Sequence, residues 1–432
     1  MIWRGWLSLN YLSIAIFVTV YLLIALRNLR WFKIPIWTIM LTGAVAMILS
    51  GVIPLQTAYS AINLDVIFFL LGMFSIVAAM ELSGLLEYLT ARMVRLSKTP
   101  QRALAMVLFG MGLLSAFLVN DTLALTATPI MLGLSKQMRI RPSVLLITLA
   151  LGVTIGSVMT PVGNPQNLLI ALSSGIPNPM LDFLYFLVPP TIIGLLVTFL
   201  ILKFYYRKDL AESAESFGSI PLPPVRDGRL ARLSAWAGGI VVVGFFSVGI
   251  ARLFGVQGNL NLGTVSLLGA TIVYLLSGRR REILASVDWG IVIFFMSLFI
   301  VVQGFWDSNA LQSLLLYLPA LNTSELVVSL GVIILISLIF SQLLSNVPFV
   351  AVYIRVMQSA GFTGSNVKAW VALAGASTLA GGLSLLGAAS NVIILEAAEV
   401  RGSGFSSLEF SKIGILVTIP NILILYLFLR IL

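Results

Sequence analysis

The sequence predicts an all-α polytopic membrane protein: two inverted repeats of five transmembrane helices, each repeat with a re-entrant hairpin and a broken helix. Three observations lead there. The 432 residues are 59% hydrophobic and only 10% charged, whereas a soluble domain carries about 25% charged residues. Many apolar runs reach the ~17–25 residues that cross a bilayer. Polar and helix-breaking stretches interrupt those runs twice, and the two interruptions recur at a nearly fixed offset.

Taken in order, span 1 covers about 11–26 and is followed by Arg27, Arg30 and Lys33. Its flank shows no small-residue cleavage site, so it reads as a retained span and not as a signal peptide. Span 2 is about 34–54 and span 3 about 65–87. Two shorter apolar stretches, 103–119 and 122–135, then meet at Asn120-Asp121. Basic residues flank both ends of this pair, which a re-entrant hairpin over 103–135 explains better than two crossings. Span 4 covers 143–173 and breaks at Thr160–Pro165. Span 5 is about 183–204. Residues 206–232 form the one substantial polar linker, dividing a first repeat (1–205) from a second (233–432). The second half follows suit, with spans at 233–251, 262–277 and 288–306, a hairpin at 326–359 with its tip at Ser345-Asn346, a broken helix at 369–397 and a last span at 410–430.

Charge orients the scheme. With the N-terminus outside, 21 of the 26 Lys and Arg fall in inner segments, as the positive-inside rule requires. The linker becomes cytoplasmic, both termini lie outside, and the protein belongs in the plasma (inner) membrane. The bias also demands an odd number of crossings per half, so the two halves have opposite orientations.

The repeat is legible in particular residues. Val66-Ile67-Phe68-Phe69 recurs as Val292-Ile293-Phe294-Phe295, and the same offset of 226 carries Glu81 to Asp307 and Asn120 to Asn346. An offset of 224 carries Gly163 to Gly387 and Asn167 to Asn391. Apolar matches are cheap in such a sequence; an acid, two asparagines and a glycine in register are not. Inverted repeats with broken helices near the midplane mark secondary transporters. One hairpin then enters from inside and the other from outside, and the tips and breaks converge.

Composition excludes much else. There is no cysteine and no histidine, which removes thiolate chemistry, haem–His ligation, His-based metal centres and the usual near-neutral proton carrier. No cofactor is expected beyond a coupling Na⁺ or H⁺. The net charge of +10 lies in short loops between spans, which the inside rule explains without nucleic acid. An intramembrane enzyme lacks a catalytic group, phosphate-loop chemistry lacks its Gly-Lys-Ser/Thr, and a passive channel has no need of two matched breaks. The partners left are the lipid bilayer and a small inorganic solute.

The candidate site follows. Asn120, Asn164, Asn167, Asn346 and Asn391 are amides at helix ends, able to bind an oxyanion or hydroxylated solute through NH₂ and a cation through the carbonyl oxygen. Helix capping is the plainer role, expected of all five. Half-helix N-termini near Asp121, Pro165, Val347 and Asn391 favour anions, and freed carbonyls at the breaks favour Na⁺. Thr122, Thr126, Thr128, Thr160, Ser345 and Ser390 add hydroxyls, although most threonines in a membrane helix bond back to their own backbone. Asp121, the one acid at a tip, is the candidate for coupling, binding a cation or carrying a proton, with Na⁺ placed near Asn120, Asp121 and Asn346. Gly156, Gly163, Gly381, Gly382 and Gly387 permit the tight backbone of the breaks, and Pro161 and Pro165 enforce one of them. Glu81, Asp307, Glu396 and Glu399 read as helix-end or interfacial acids.

At these residues the sequence resembles the ion transporter superfamily, in its arsenical-pump permease, citrate permease and sodium/proton antiporter branch, related to the divalent anion:sodium symporters. Asn120 to Pro129 is similar to the arsenite permease pattern of Asn-Asp followed by a Thr-Pro helix. Gly156 to Asn167 resembles the family's glycine-rich break, Ser345-Asn346-Val347-Pro348 its second tip, and Gly387 to Asn391 its second break. The symporters' Ser-Asn-Thr tips are absent: the counterparts are Val119-Asn120-Asp121 and Ser345-Asn346-Val347. The resemblance implies a secondary active transporter, elevator-like motion and a homodimer. The expected solute is an inorganic anion or oxyacid, arsenite/antimonite-type first. A sodium/proton antiporter is the alternative, and a sodium-coupled dicarboxylate or divalent-anion carrier comes third.

Overall fold

The computed structural model describes residues 2–26, 34–95, 97–211, 222–256, 260–308 and 321–432. The basic residues of 27–33 and the middle of the linker (212–221) lie outside them. Every regular element among the described residues is helical. The first half comprises α1 (Ile2–Leu26), α2 (Ile36–Leu49), α3 (Leu55–Ala61), α4 (Leu64–Leu82), α5 (Leu85–Arg95), α6 (Pro100–Ala105), α7 (Met111–Ser115), α8 (Asn120–Met138), α9 (Pro142–Gly156), α10 (Pro165–Ser173), α11 (Pro179–Tyr205) and α12 (Arg207–Ala211). The second comprises α13 (Gly228–Leu253), α14 (Leu262–Leu276), α15 (Arg280–Ala285), α16 (Trp289–Asp307), α17 (Leu326–Leu344), α18 (Asn346–Ser359), α19 (Val367–Ala380), α20 (Ala389–Glu399) and α21 (Ser407–Ile431).

Local chemistry sets the boundaries. Span 2 stops short of its expected end because Gly51 turns left-handed (φ 73°), and the short α3 follows. Span 3 stops at Leu82, before the left-handed Gly84, and the amphipathic α5 takes up what the sequence reads as its tail. Asn63, Asp227, Asn261 and Asp288 cap their helices through side-chain oxygens, satisfying N–H groups that have no partner within the helix. A π-turn over Met106–Gly110 joins α6 to α7, with the Met93 side chain against Gly110. Pro161 and Pro165, which lack donors, lie in and just after the first break.

Polar contacts sort the helix ends into two sets. At one, Arg226 pairs with Glu87 (2.9 Å), Arg141 with Asp209, and Ser143 and the Tyr206 hydroxyl both donate to Glu409 (3.2 Å each). This is the basic end. It collects the C-termini of α4, α11 and α14 and the N-termini of α9, α13 and α21. The opposite end is tied by Asn261 Nδ2 to Asp65 (2.7 Å), Arg252 to the Pro177 carbonyl (3.1 Å) and Gln358 to the Ser173 carbonyl (2.9 Å). There α4, α11 and α14 begin and α10, α13 and α18 finish.

The two halves answer each other helix for helix. α4 packs along α14, and its counterpart α16 packs along α2; α8 packs on α20, and α18 on α10; α11 and α21 pack on each other. Counterparts run in opposite directions: α9 starts at the basic end beside Glu409, while α19 starts at the opposite end, where Gly364 backs onto Gly175. The repeats are therefore inverted.

Both re-entrant hairpins are present. α6 and α7 run beside α9 as far as its break, where Ser115 donates to the Val153 carbonyl (2.6 Å), and α8 returns to the basic end. α17 runs beside α19 to the second break, where Gln342 donates to the Ala380 carbonyl (2.6 Å), and α18 returns to the opposite end. Seven described helices are long and apolar enough to cross a membrane. α17 is among them, yet the chain turns back at Ser345 with φ at 67°. A non-glycine residue there costs of order 1–3 kcal/mol. Small residues permit close crossings, as in other membrane bundles: a Cβ on Gly152 would sit 2.9 Å from the Leu108 carbonyl.

Orientation across a membrane is directly testable, since the chain has no native cysteine. Ser286→Cys at the basic end and Ser365→Cys at the opposite end are both exposed. An impermeant maleimide should label Ser365→Cys in intact cells and Ser286→Cys only after permeabilisation. The reverse pattern would turn the topology over.

Candidate functional site

Broken helices free backbone groups that must be satisfied when buried, and the first break does this with its own side chains. Asn164 caps α10, its Oδ1 accepting from Asn167 N (2.9 Å) while its Nδ2 donates to the Ser157 carbonyl (3.2 Å). Asn167 Nδ2 donates to the carbonyls of Ser157 (3.1 Å) and Thr160 (3.2 Å). The Thr160 hydroxyl donates to the Ala116 carbonyl, fixing the first hairpin tip to the break. A Cβ on Gly163 would lie 2.6 Å from the Ser157 carbonyl, so only glycine fits.

The first break is also bonded to the second half. Thr378 Oγ1, on the last turn of α19, accepts from Asn164 (3.2 Å) and Gln166 (3.3 Å) and donates to Asn167 Oδ1 (3.0 Å). Sequence reasoning passed over Gln166 and Thr378. The signal available was position: Gln166 lies between Pro165 and Asn167, and Thr378 lies three residues before Gly381.

The second break, Gly381 to Ala388, is held by Asn391, whose Nδ2 donates to the carbonyls of Gly381 (2.8 Å) and Ser384 (3.3 Å). Ser384 donates to Gln342 Oε1 (2.7 Å), tying in the second hairpin. Gly382 and Gly387 also sit within the break, where a Cβ on Gly387 would meet the Gly381 carbonyl at 2.9 Å.

The five asparagines thus divide. Asn164 and Asn167 are fully engaged in holding the fold. Asn120 and Asn346, one on each tip, are buried at 8% and 6% exposure, and each keeps a side-chain carbonyl oxygen with no donor. Asn391 does the same, and the hydroxyl of buried Ser390 has no partner. Among the five only Asn164 caps a helix; Asn120, Asn346 and Asn391 make no capping bond. The expected capping by all five is thereby corrected. Asn120 and Asn346 are the first residues of their helices and Asn391 is the third of its own, so each side chain is past the capping position. Of the four threonines, Thr126 and Thr128 bond back to their own helix, at Thr122 O (2.8 Å) and Ala124 O (2.6 Å).

A cavity of about 610 Å³ opens between α4, α8, α16 and α20. Val119, Asp121 and Thr122 of the first tip line it, and Ser286, Asp288 and Arg401 place its mouth at the basic end. Four carboxylates share its wall: Glu81, Asp121, Asp288 and Glu396. The single arginine, Arg401, donates to the Ala397 carbonyl (2.7 Å). The acids are spread around the wall, and among the described residues no three acids converge as a metal centre would require. Glu81 and Glu396, read from sequence as helix-end and interfacial acids, are vestibule groups. Asp307, Glu81's counterpart, is bonded to Gln303 (2.8 Å), and the other side of Gln303 accepts from Arg355 (2.9 Å). No sequence signal singled out Asp288, which also caps α16.

Against known proteins, residues 21–380 match the citrate transporter family. An uncharacterised transporter of Mycobacterium tuberculosis is 28% identical over 98% of this chain and 99% of its own length. The silicon efflux transporter LSI3 of Oryza sativa is 26% identical, covering 83% of this chain and 84% of its own. The putative transporter arsB of Dictyostelium discoideum is 23% identical over 88% and 85%. In three dimensions the chain is similar to the Alcanivorax borkumensis YdaH transporter, with TM-score 0.56 over 87% of each chain at 15% identity, a likeness of fold alone. An inverted pair of hairpin-and-broken-helix repeats, an acid-lined vestibule ending at one hairpin tip, and a family match over most of the chain together make this protein a membrane transporter of the citrate transporter family, within the ion transporter superfamily.

Proposed function

We propose that this transporter moves a neutral, hydroxylated inorganic acid of the arsenite or antimonite type by alternating access, with Asp121 exchanging the coupling proton. The carrying observation is the pair of buried, donor-less amide oxygens, Asn120 Oδ1 and Asn346 Oδ1, one on each hairpin tip. A solute rich in O–H groups supplies the donors those oxygens lack, and burying an acceptor unpaired costs about 1–3 kcal/mol. Neither tip carries an arginine or lysine to match a carboxylate or sulfate. The vestibule's four acids against one arginine repel a polyanion and admit an uncharged acid or a cation. Relatives bearing silicon-efflux and arsB names support the same class. The family's citrate label sits less easily with this charge pattern.

The scheme places the basic end in the cytoplasm, so the vestibule faces the cell interior. Two hairpins moving with their broken helices against α2, α4, α14 and α16 would give an elevator-like exchange, and a homodimer suits that motion. The acid-rich vestibule also favours a second reading, Na⁺/H⁺ antiport through Asp121.

Proteoliposomes separate these readings. Arsenite, antimonite and silicic acid should move in response to a pH gradient, and citrate, sulfate and phosphate should not. Citrate flux without oxyacid flux would overturn the proposal. Na⁺-driven proton movement with no solute flux would establish the second reading.

A further inference from the structure

The inverted repeat makes a demand of the second break that its own side chains do not meet. At the first break, Asn167 holds two carbonyls, Ser157 and Thr160, and its remaining oxygen accepts from Thr378. The offset of 224 carries these residues to Asn391, Gly381, Ser384 and Thr154. Asn391 holds the matching carbonyls, Gly381 and Ser384. Its remaining oxygen accepts from nothing, and Thr154 Oγ1, Thr378's counterpart, has no partner either.

The cause is in the sequence. Asn164 and Gln166, whose amides reach Thr378, correspond to Ala388 and Ser390. The shorter pair leaves a gap, and the Ser390 hydroxyl is also unpartnered. Thr154, Ser390 and Asn391 are 2%, 0% and 0% exposed, and their helices, α9 and α20, pack directly on each other. Three buried orphan oxygens are related by the repeat to three atoms that bond together.

We propose that Thr154 Oγ1, Ser390 Oγ and Asn391 Oδ1 form a Na⁺ site within the second break, separate from the hairpin-tip site above. The donor set suits a small hard cation. Asn391 spends its NH₂ on two carbonyls and so offers only oxygen, and the two hydroxyls can turn their lone pairs inward. Neutral oxygens at broken helices are established ligands for Na⁺. The positive end of α20 weakly opposes a cation. The same helix borders the acidic vestibule through Glu396, in a wall it shares with Asp121, and that field concentrates cations. A buried water is the competing occupant.

Thermal unfolding of the purified full-length protein decides between them, with Na⁺ titrated against K⁺ and choline at constant ionic strength. A Na⁺ site raises the folded-to-unfolded ratio about elevenfold at a Na⁺ concentration ten times its dissociation constant. The wild type should show a Na⁺-specific rise in midpoint. Thr154→Val and Ser390→Ala should each weaken the apparent Na⁺ affinity at least tenfold. Thr378→Val should lower the midpoint in every salt and keep the Na⁺ response. No Na⁺-specific shift in the wild type, or a shift that survives Thr154→Val and Ser390→Ala unchanged, would overturn the proposal. The readout needs no solute, so it stands or falls independently of the oxyacid reading.

Discussion

Asp121→Asn is expected to reduce pH-driven solute flux at least tenfold while leaving the protein folded. The side chain lines the vestibule at the start of α8 and shares the wall with Glu81, Asp288 and Glu396. Asparagine keeps its shape and its hydrogen-bonding oxygen but cannot exchange a proton. Removing one of four like charges in a confined space relieves repulsion, so the thermal midpoint should hold or rise. That pairing of outcomes distinguishes coupling from structure, because a residue needed only for folding would lose flux and stability together. Flux down a solute gradient, with no pH difference imposed, should survive better than coupled flux. If Asp121→Asn retains wild-type pH-driven transport, the proton travels elsewhere. Glu81→Gln and Glu396→Gln, in the same vestibule, are the next variants to examine.

The largest effect on stability is expected from Gly156→Ala. The last turn of α9 lies so close to α7 that a Cβ on Gly156 would overlap the Gly112 carbonyl oxygen and Cα. Both obstacles are backbone, so neither can rotate away. The hairpin would have to move off the broken helix, and overpacking of this kind costs roughly 3 kcal/mol, at the upper end of the usual range. Transport should fall as well, because the same displacement pulls Ala116 from Thr160 and tilts the tip that carries Asn120. Gly133→Ala in α8 is the control: nothing lies within 4 Å of its added methyl, and alanine in a helix interior gains about 0.5–1 kcal/mol over glycine. Equal midpoints for the two variants would refute the close-crossing argument.

How much of this was legible beforehand depended on the kind of signal. The hairpins, the breaks and the inversion were readable because each is expensive in a membrane and leaves a trace. Asn120-Asp121 interrupts an apolar run, Pro161 and Pro165 delete donors, and lysine and arginine sort by side. Helix boundaries set by one left-handed glycine, as at Gly51 and Gly84, left a fainter trace. The division among the five asparagines was not readable at all. Asn167 and Asn391 occupy equivalent positions and hold equivalent carbonyls; what separates them is whether the residues one and three positions before them can reach a threonine on another helix. The vestibule acids escaped for a related reason. Glu81, Asp288 and Glu396 come from three helices far apart in the chain, and each alone resembles an ordinary helix-end charge.

α17 has a consequence for how the protein is made. Its 19 residues are apolar and long enough to span a bilayer, so during insertion nothing in α17 itself tells the translocation machinery to stop it halfway. The reversal at Ser345 is held by Gln342, which donates to the Ala380 carbonyl and accepts from the Ser384 hydroxyl, residues synthesised some forty positions later. Until α19 and the second break emerge, the hairpin lacks the partner that fixes its depth. The nascent chain therefore passes through a stage in which α17 can lie fully across the membrane. Substitutions at Gln342 should then show their first effect in biogenesis, as a share of chains with an inverted C-terminal tail, before any effect on transport by the molecules that mature.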